Sequence, residues 1–332
     1  MAHEALTAGW FPHFAEEQAR FDVPTDTNIG VAPTPDGLGY ARIPGLFSDE
    51  QVKGWGRVAS AVHAAGGRIF AQLMHTGRAS HVANLPVGAR VLAPSAVALD
   101  AEIWVDPGGN VKASAPKAMS EADIEQTLEG YARASERAVE AGRDGVELHG
   151  ANGYLIDQFL NTASNQRTDK WGGSVENRIR FAVEAARRAS ERIGTDRVGI
   201  RISPYGAFNG MQADAATEEV YEALARELDK IGVVYVHIVD HSSRGAPKVE
   251  PSVKQKVRAA FKGTVILSGG YDRDRAEADL RDKNADLVAV GRPFISNPKL
   301  VSGLRARSPL AAPDFATFYT PDAKGYTDSA AD

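Results

Sequence analysis

Six short stretches of the chain are almost continuously apolar, each rich in Val, Ile or Leu and each closing on polar residues or glycine. They are RIFAQLMH (68–75), DGVELHGA (144–151), RVGIRISP (197–204), VVYVHIVD (233–240), TVILSGG (264–270) and LVAVGRPF (287–294). Strands of this kind, apolar on both faces, belong to a parallel sheet covered on both sides. Between them the apolar positions change to a three-to-four spacing, as at Val52, Trp55, Val58, Ala59 and Val62. That period predicts helices over 48–65, 121–141, 174–193, 217–231, 251–261 and 273–281. Ser174 is the expected N-cap of the third, with Glu176 favouring its positive end. Strand and helix alternate with no break in composition, which predicts one βα domain over residues 1–332.

An open doubly wound sheet and a closed barrel both satisfy that alternation. Neither the G-x-G-x-x-G dinucleotide fingerprint nor the P-loop is present, and Gly37-Leu-Gly39 has no strand before it. Polar residues instead gather at the strand ends: Gln72 and His75, His149, Arg201, Asp240, Gly269 and Gly270, Gly291 and Arg292. A TIM (β/α)8 barrel brings such ends together on one face, where active sites are built, so the expected fold class is an α/β barrel. Residues 76–120 are too many for a simple connection and are expected to form an elaborated active-site loop or a small excursion.

Composition narrows the function. The 332 residues contain no cysteine, which removes disulfides, thiol nucleophiles, iron–sulfur clusters and cysteine zinc sites. A net charge of −5 provides no bulk attraction to nucleic acid or anionic lipid. No apolar run reaches the ~20 residues of a membrane helix, and MAHEALTAGWFPHF lacks the basic start of a secretory signal. A cytoplasmic enzyme acting on a small molecule is expected; a monomer and a homo-oligomer are both compatible with the sequence.

Two segments carry the candidate chemistry. LSGGYD and AVGRPF lie at the last two strands, where barrels often bind phosphate; Gly269 and Gly270 allow backbone N–H groups to approach, and Arg292 adds donors. The competing reading is tight turns with a surface arginine. In HGANGYLIDQFL, His149 and Asn152 can both donate to one oxygen that gains negative charge, and Tyr154 can donate a proton. The competing reading is a satisfied core histidine and a turn asparagine. Gln72 and Arg201 would suit a planar heterocycle with carbonyl oxygens, although each could equally be packing. Arg167, Asp169 and Arg178 are read as a structural ion-pair and turn network. The remaining histidines show no ligand spacing, so no metal is expected.

Taken together, GLGYARIPGLFSDEQV, QLMHTGRASH, HGANGYLIDQFLNTASNQRTDKWGGSVENR, LSGGYD and AVGRPFISNP resemble the Old Yellow Enzyme family of flavin-dependent ene-reductases, in particular its N-ethylmaleimide reductase-like bacterial members. The likeness runs from about Ile29 to the C-terminus. It implies an FMN-bearing barrel that reduces activated C=C bonds of unsaturated carbonyl or nitro compounds with NAD(P)H. It implies that His149 and Asn152 hold the substrate oxygen and that Tyr154 protonates Cα after hydride reaches Cβ. Gln72 and Arg201 would bind the flavin's pyrimidine edge, Gly270, Gly291 and Arg292 its phosphate, and Tyr319 would lie near the substrate. The family's opening strand and its Pro-Met-Thr-like loop have no counterpart here. Only 28 residues precede Ile29, against the ~30 of a βα unit. WFPHFAEEQARF could stand for the first helix, and VPTDTNIG is polar for a second strand. The first βα unit (1–28) is therefore expected to be altered or missing. The alternative function is a barrel relative that has lost tight flavin binding and acts as a non-redox enzyme, a binding protein or an inactive homologue. Met74 stands where some relatives have tryptophan, so their substrate preference does not carry over to this chain.

Overall fold

A computed structural model describes residues 30–317 together with the backbone of Trp10 and Phe11. Six parallel strands form its centre: β1 (Phe70–Leu73), β2 (Gly145–Gly150), β3 (Val198–Ile202), β4 (Tyr235–Val239), β5 (Thr264–Ser268) and β6 (Leu287–Ala289). Each pairs in parallel with the next in the chain. Every residue of β2 and β4 is buried, as expected where one face meets the interior and the other meets helices. All six predicted strands form, each ending earlier than its apolar run because the terminal polar residues turn into loops.

The outer layer is α1 (Asp49–Ala64), α2 (Glu121–Glu140), α3 (Val175–Ile193), α4 (Thr217–Ile231), α5 (Pro251–Ala260) and α6 (Arg273–Arg281). Their starts are chemically defined. Ser48 and Gln51 form a reciprocal capping box for α1, Ser120 and Asp123 one for α2, and Ser174 caps α3 through the Asn177 N–H. On its inner face α3 buries Ala182, Ala185, Ala186 and Ala189, small side chains that let the helix lie close to the sheet. Phe181 stacks on Phe159 with ring centroids 4.2 Å apart, filling the space beyond.

Among the described residues the N-terminal edge of the sheet is irregular. Where a second strand is expected, Val31 alone makes a parallel bridge to Leu73: its N–H donates to Gln72 O, and Met74 N–H donates back to Val31 O, both at 2.9 Å. At the opposite edge Trp10 and Phe11 pair antiparallel with Ala289 and Val288. The reading of WFPHF as the start of a helix is thus corrected at these two residues. Their backbone groups are used to satisfy the edge of β6, which an extended segment can do and a helix cannot.

Residues 76–120 hold a hairpin, Glu102–Val105 against Gly109–Lys112, and a short parallel pair, Leu92–Ala93 beside Lys117–Ala118. The polar stretch before α3 is structural as read: Arg167 forks onto Asp169 and also donates to Pro94 O and Met119 O. Arg178 donates to Leu160 O and Asp214. Among the described residues no helix is long and apolar enough to cross a membrane.

Candidate active site

At the C-terminal ends of the strands lies a cavity of about 880 Å³. Gln72, His149, Asn152, Tyr154, Arg201, Gly269, Gly270, Gly291 and Arg292 all line it, so the residues singled out from sequence converge on one space. Tyr319 lies outside the described residues. No residue of 76–120 lines this cavity among the described residues; the excursion braces it from behind, with Arg78 donating to Asn209 O and Gly210 O.

Beneath the cavity a buried polar ladder crosses the sheet. Gln72 Nε2 donates to Glu147 Oε1 at 2.6 Å, Glu147 Oε2 meets His237 Nδ1 at 2.9 Å, and His237 Nε2 meets Ser268 Oγ at 2.8 Å. Burial pushes the Glu147 carboxyl upward, but His237, Arg201 and the Gln72 amide outweigh it and hold the group below the usual carboxylate range. Burial likewise disfavours a His237 cation. With Nε2 committed to Glu147, the Gln72 carbonyl and its second amide hydrogen remain for a ligand. That pair matches a group presenting an N–H beside a C=O, such as the imide edge of a flavin.

On the next wall His149 is almost fully buried, and burial, aided by the Arg201 charge, lowers its pKa to about 3. The ring is therefore neutral. Its Nδ1 accepts the Ala151 N–H at 3.3 Å, which leaves the proton on Nε2 as a donor. Asn152 sits at a positive φ of 61° and is held there from three sides. Its N–H donates to Ser203 Oγ at 2.9 Å, its carbonyl accepts from Asn209 Nδ2 at 2.8 Å, and the next residue, Gly153, donates to Asp157. Burial pushes the Asp157 carboxyl up to about 7. Tyr154 packs edge-on against His149, with centroids 4.9 Å apart, and meets Tyr40 at 6.1 Å. Burial raises the Tyr40 phenol, which hydrogen-bonds to Tyr154 and Asn209.

At the other end Gly269 has φ +117°, and a Cβ there would stand 1.9 Å from Asp240 O. Only glycine fits that turn. Gly291, by contrast, faces open space. Arg292 reaches across to Ser243 Oγ at 3.3 Å. Glycine backbone with a guanidinium at one end, and Gln72 with Arg201 at the other, suit an elongated ligand carrying a phosphate and a heterocycle, and FMN has both.

Tyr40, Phe208, Asn209, His241, Glu147 and Asp157 escaped the sequence reading. Glu147 carried a signal: it alternates with His149 along an apolar strand, placing both on one face. Asp157 lies in the HGANGYLIDQFL segment, on the short helix Leu155–Leu160, and Tyr40 in GLGYARIPGLFSDEQV, but neither side chain gave a signal of its own. Phe208, Asn209 and His241 come from segments outside the motifs.

A family model described as NADH:flavin oxidoreductase / NADH oxidase matches residues 2–310. Chanoclavine-I aldehyde reductase of Penicillium roqueforti is 42% identical over 301 residues, covering 88% of this chain and 79% of that protein. 12-Oxophytodienoate reductase 7 of Oryza sativa subsp. japonica is 37% identical over 318 residues, covering 90% and 80%. Among solved structures, morphinone reductase in complex with tetrahydroNAD superposes with a TM-score of 0.85 at 40% identity, covering 91% of this chain and 83% of that one. With that extent of likeness and a cavity whose donors fit the cofactor, the chain belongs to the NADH:flavin oxidoreductase / NADH oxidase family, the Old Yellow Enzyme barrels that use FMN with a nicotinamide reductant.

Proposed function

We propose that this chain reduces the C=C bond of α,β-unsaturated carbonyl or nitro compounds with NAD(P)H. The observation that carries the reading is the convergence, in one cavity, of the neutral His149, Asn152 and Tyr154 with Gln72 and Arg201. The chemistry that FMN supplies when bound is two-electron storage, taking hydride from a nicotinamide and releasing it to an alkene carbon. Gln72 and Arg201 hold its pyrimidine edge, and the Arg201 cation favours electron-rich character there. Gly269, Gly270 and Gly291 offer backbone donors to its phosphate, with Arg292 adding charge.

His149 Nε2–H and the Asn152 amide donate to the substrate's carbonyl or nitro oxygen. Negative charge builds on that oxygen as the alkene is reduced, so both bonds strengthen toward the transition state. A neutral histidine suits the task because it donates without surrendering its proton. Tyr154, packed against His149, delivers a proton to Cα; Tyr319 is kept as a substrate contact on sequence grounds. The reductase names of the relatives favour this redox reading over a barrel that has lost its flavin.

The test is the Tyr154→Phe variant, with its two half-reactions followed separately. The expected result is a loss of ~10²–10⁴-fold in flavin reoxidation by an enone, with reduction by NAD(P)H spared. Equal losses in both halves would contradict the proton-donor role.

A further inference from the structure

An asparagine that must donate to a substrate oxygen can also present the wrong group to it. Turning its amide by half a circle exchanges the NH2 for a carbonyl, which would repel the oxygen it is meant to hold. The backbone of Asn152 is fixed by Ser203 and Asn209, which leaves the side-chain amide as the open choice. His241 closes it. This residue follows β4, and its Nε2 lies 2.5 Å from Asn152 Oδ1, across 89 residues of sequence. Its ring is itself pinned, edge-on to Phe208 with centroids 4.7 Å apart, while the Arg244 guanidinium covers Phe208 at 4.7 Å.

We propose that His241 is a positioning residue: its Nε2–H engages Asn152 Oδ1 and so turns the Asn152 NH2 toward the substrate oxygen. The inference rests on the oxygen-site reading above and deepens it. Burial, together with the Arg201 and Arg244 charges, keeps the His241 pKa at about 3, so the ring is neutral, and the contact to Asn152 Oδ1 calls for its one proton on Nε2.

The experiment is a double-mutant cycle read by calorimetric titration of the FMN-loaded protein with p-hydroxybenzaldehyde, a ligand presenting substrate-like oxygen. His241→Phe keeps an aromatic edge for Phe208 but removes the donor. It is expected to weaken binding about tenfold, the order of one hydrogen bond in a buried site. In an Asn152→Ala background the same change is expected to cost nothing further, since the residue it acts through is gone. His241→Gln, which restores an amide N–H at similar reach but can also turn its carbonyl to Asn152, is expected to recover part of the lost affinity. Equal losses in both backgrounds, no loss at all, or failed rescue by glutamine would overturn the positioning role alone. If Asn152→Ala itself leaves affinity unchanged, the oxygen-site reading falls and this inference falls with it.

Discussion

Gln72 gives an amide hydrogen to Glu147 at 2.6 Å, and that contact decides which side of the amide the cavity receives. Glu147 can only accept while ionised, and it is kept ionised by His237 and Arg201 despite complete burial. A carboxylate with no place in the cavity wall thus sets the amide edge that Gln72 presents to the cavity.

Replacing Glu147 with Gln should loosen that setting. A glutamine can donate as well as accept, so the Gln72 amide gains a second orientation. FMN affinity is expected to fall about tenfold, in line with one compromised buried hydrogen bond. Fluorescence titration of the apoprotein with FMN measures it; unchanged affinity would remove Glu147 from the account.

Arg292 should distinguish FMN from riboflavin. Charge-assisted bonds to a phosphate are worth roughly 1.5–3 kcal/mol. Arg292→Ala is therefore expected to weaken FMN binding at least ~10-fold while riboflavin binding changes little. Equal losses for both flavins would place the phosphate elsewhere.

Two glycines at that end should respond oppositely. A Cβ at Gly269 collides with Asp240 O, so Gly269→Ala is expected to destabilise the fold itself. At Gly291 a Cβ meets nothing within 4 Å, so Gly291→Ala should keep the melting temperature yet lose FMN affinity by crowding the phosphate. Thermal melts of the apoproteins, paired with FMN titrations, separate the two effects. A stable Gly269→Ala protein would contradict the first, and undiminished FMN binding by Gly291→Ala the second.

Acid should unfold the protein through its buried histidines. Burial holds His75, His149 and His241 at about 3, against an ordinary 6.5. Between these values the unfolded chain binds protons that the folded chain refuses, so stability falls as pH drops below 6.5. Asp157, pushed up to about 7, acts in the opposite sense: folded, it keeps a proton that the unfolded chain releases above 3.8, so its contribution declines as pH rises. Urea midpoints are expected to fall from pH 7 to pH 5, and to fall more steeply in Asp157→Asn, which lacks the opposing effect. A shallower slope in the variant would contradict the assignment.

Much of this was legible in the sequence, and the boundary has a physical basis. Strand cores and helix caps are local: Ser48, Ser120 and Ser174 bond to groups three residues away. The wall residues were legible because strand ends share one face of a barrel, so His149, Arg201 and Arg292 could be placed together without a contact being known. What stayed hidden is the layer that orients them. His241 reaches Asn152, and Glu147 reaches Gln72, across spans of 89 and 75 residues. No spacing rule encodes such pairs. Trp10 and Phe11 were misread because their conformation answers to the free edge of β6 rather than to their own periodicity.

The most direct test is anaerobic stopped-flow of the FMN-loaded protein, first reduced with NAD(P)H and then mixed with 2-cyclohexenone. The account predicts that the flavin's visible band bleaches on reduction and returns with enone concentration, with cyclohexanone formed in equal amount. A band that bleaches but does not return on mixing with the enone, or a protein that takes up no FMN, would contradict it.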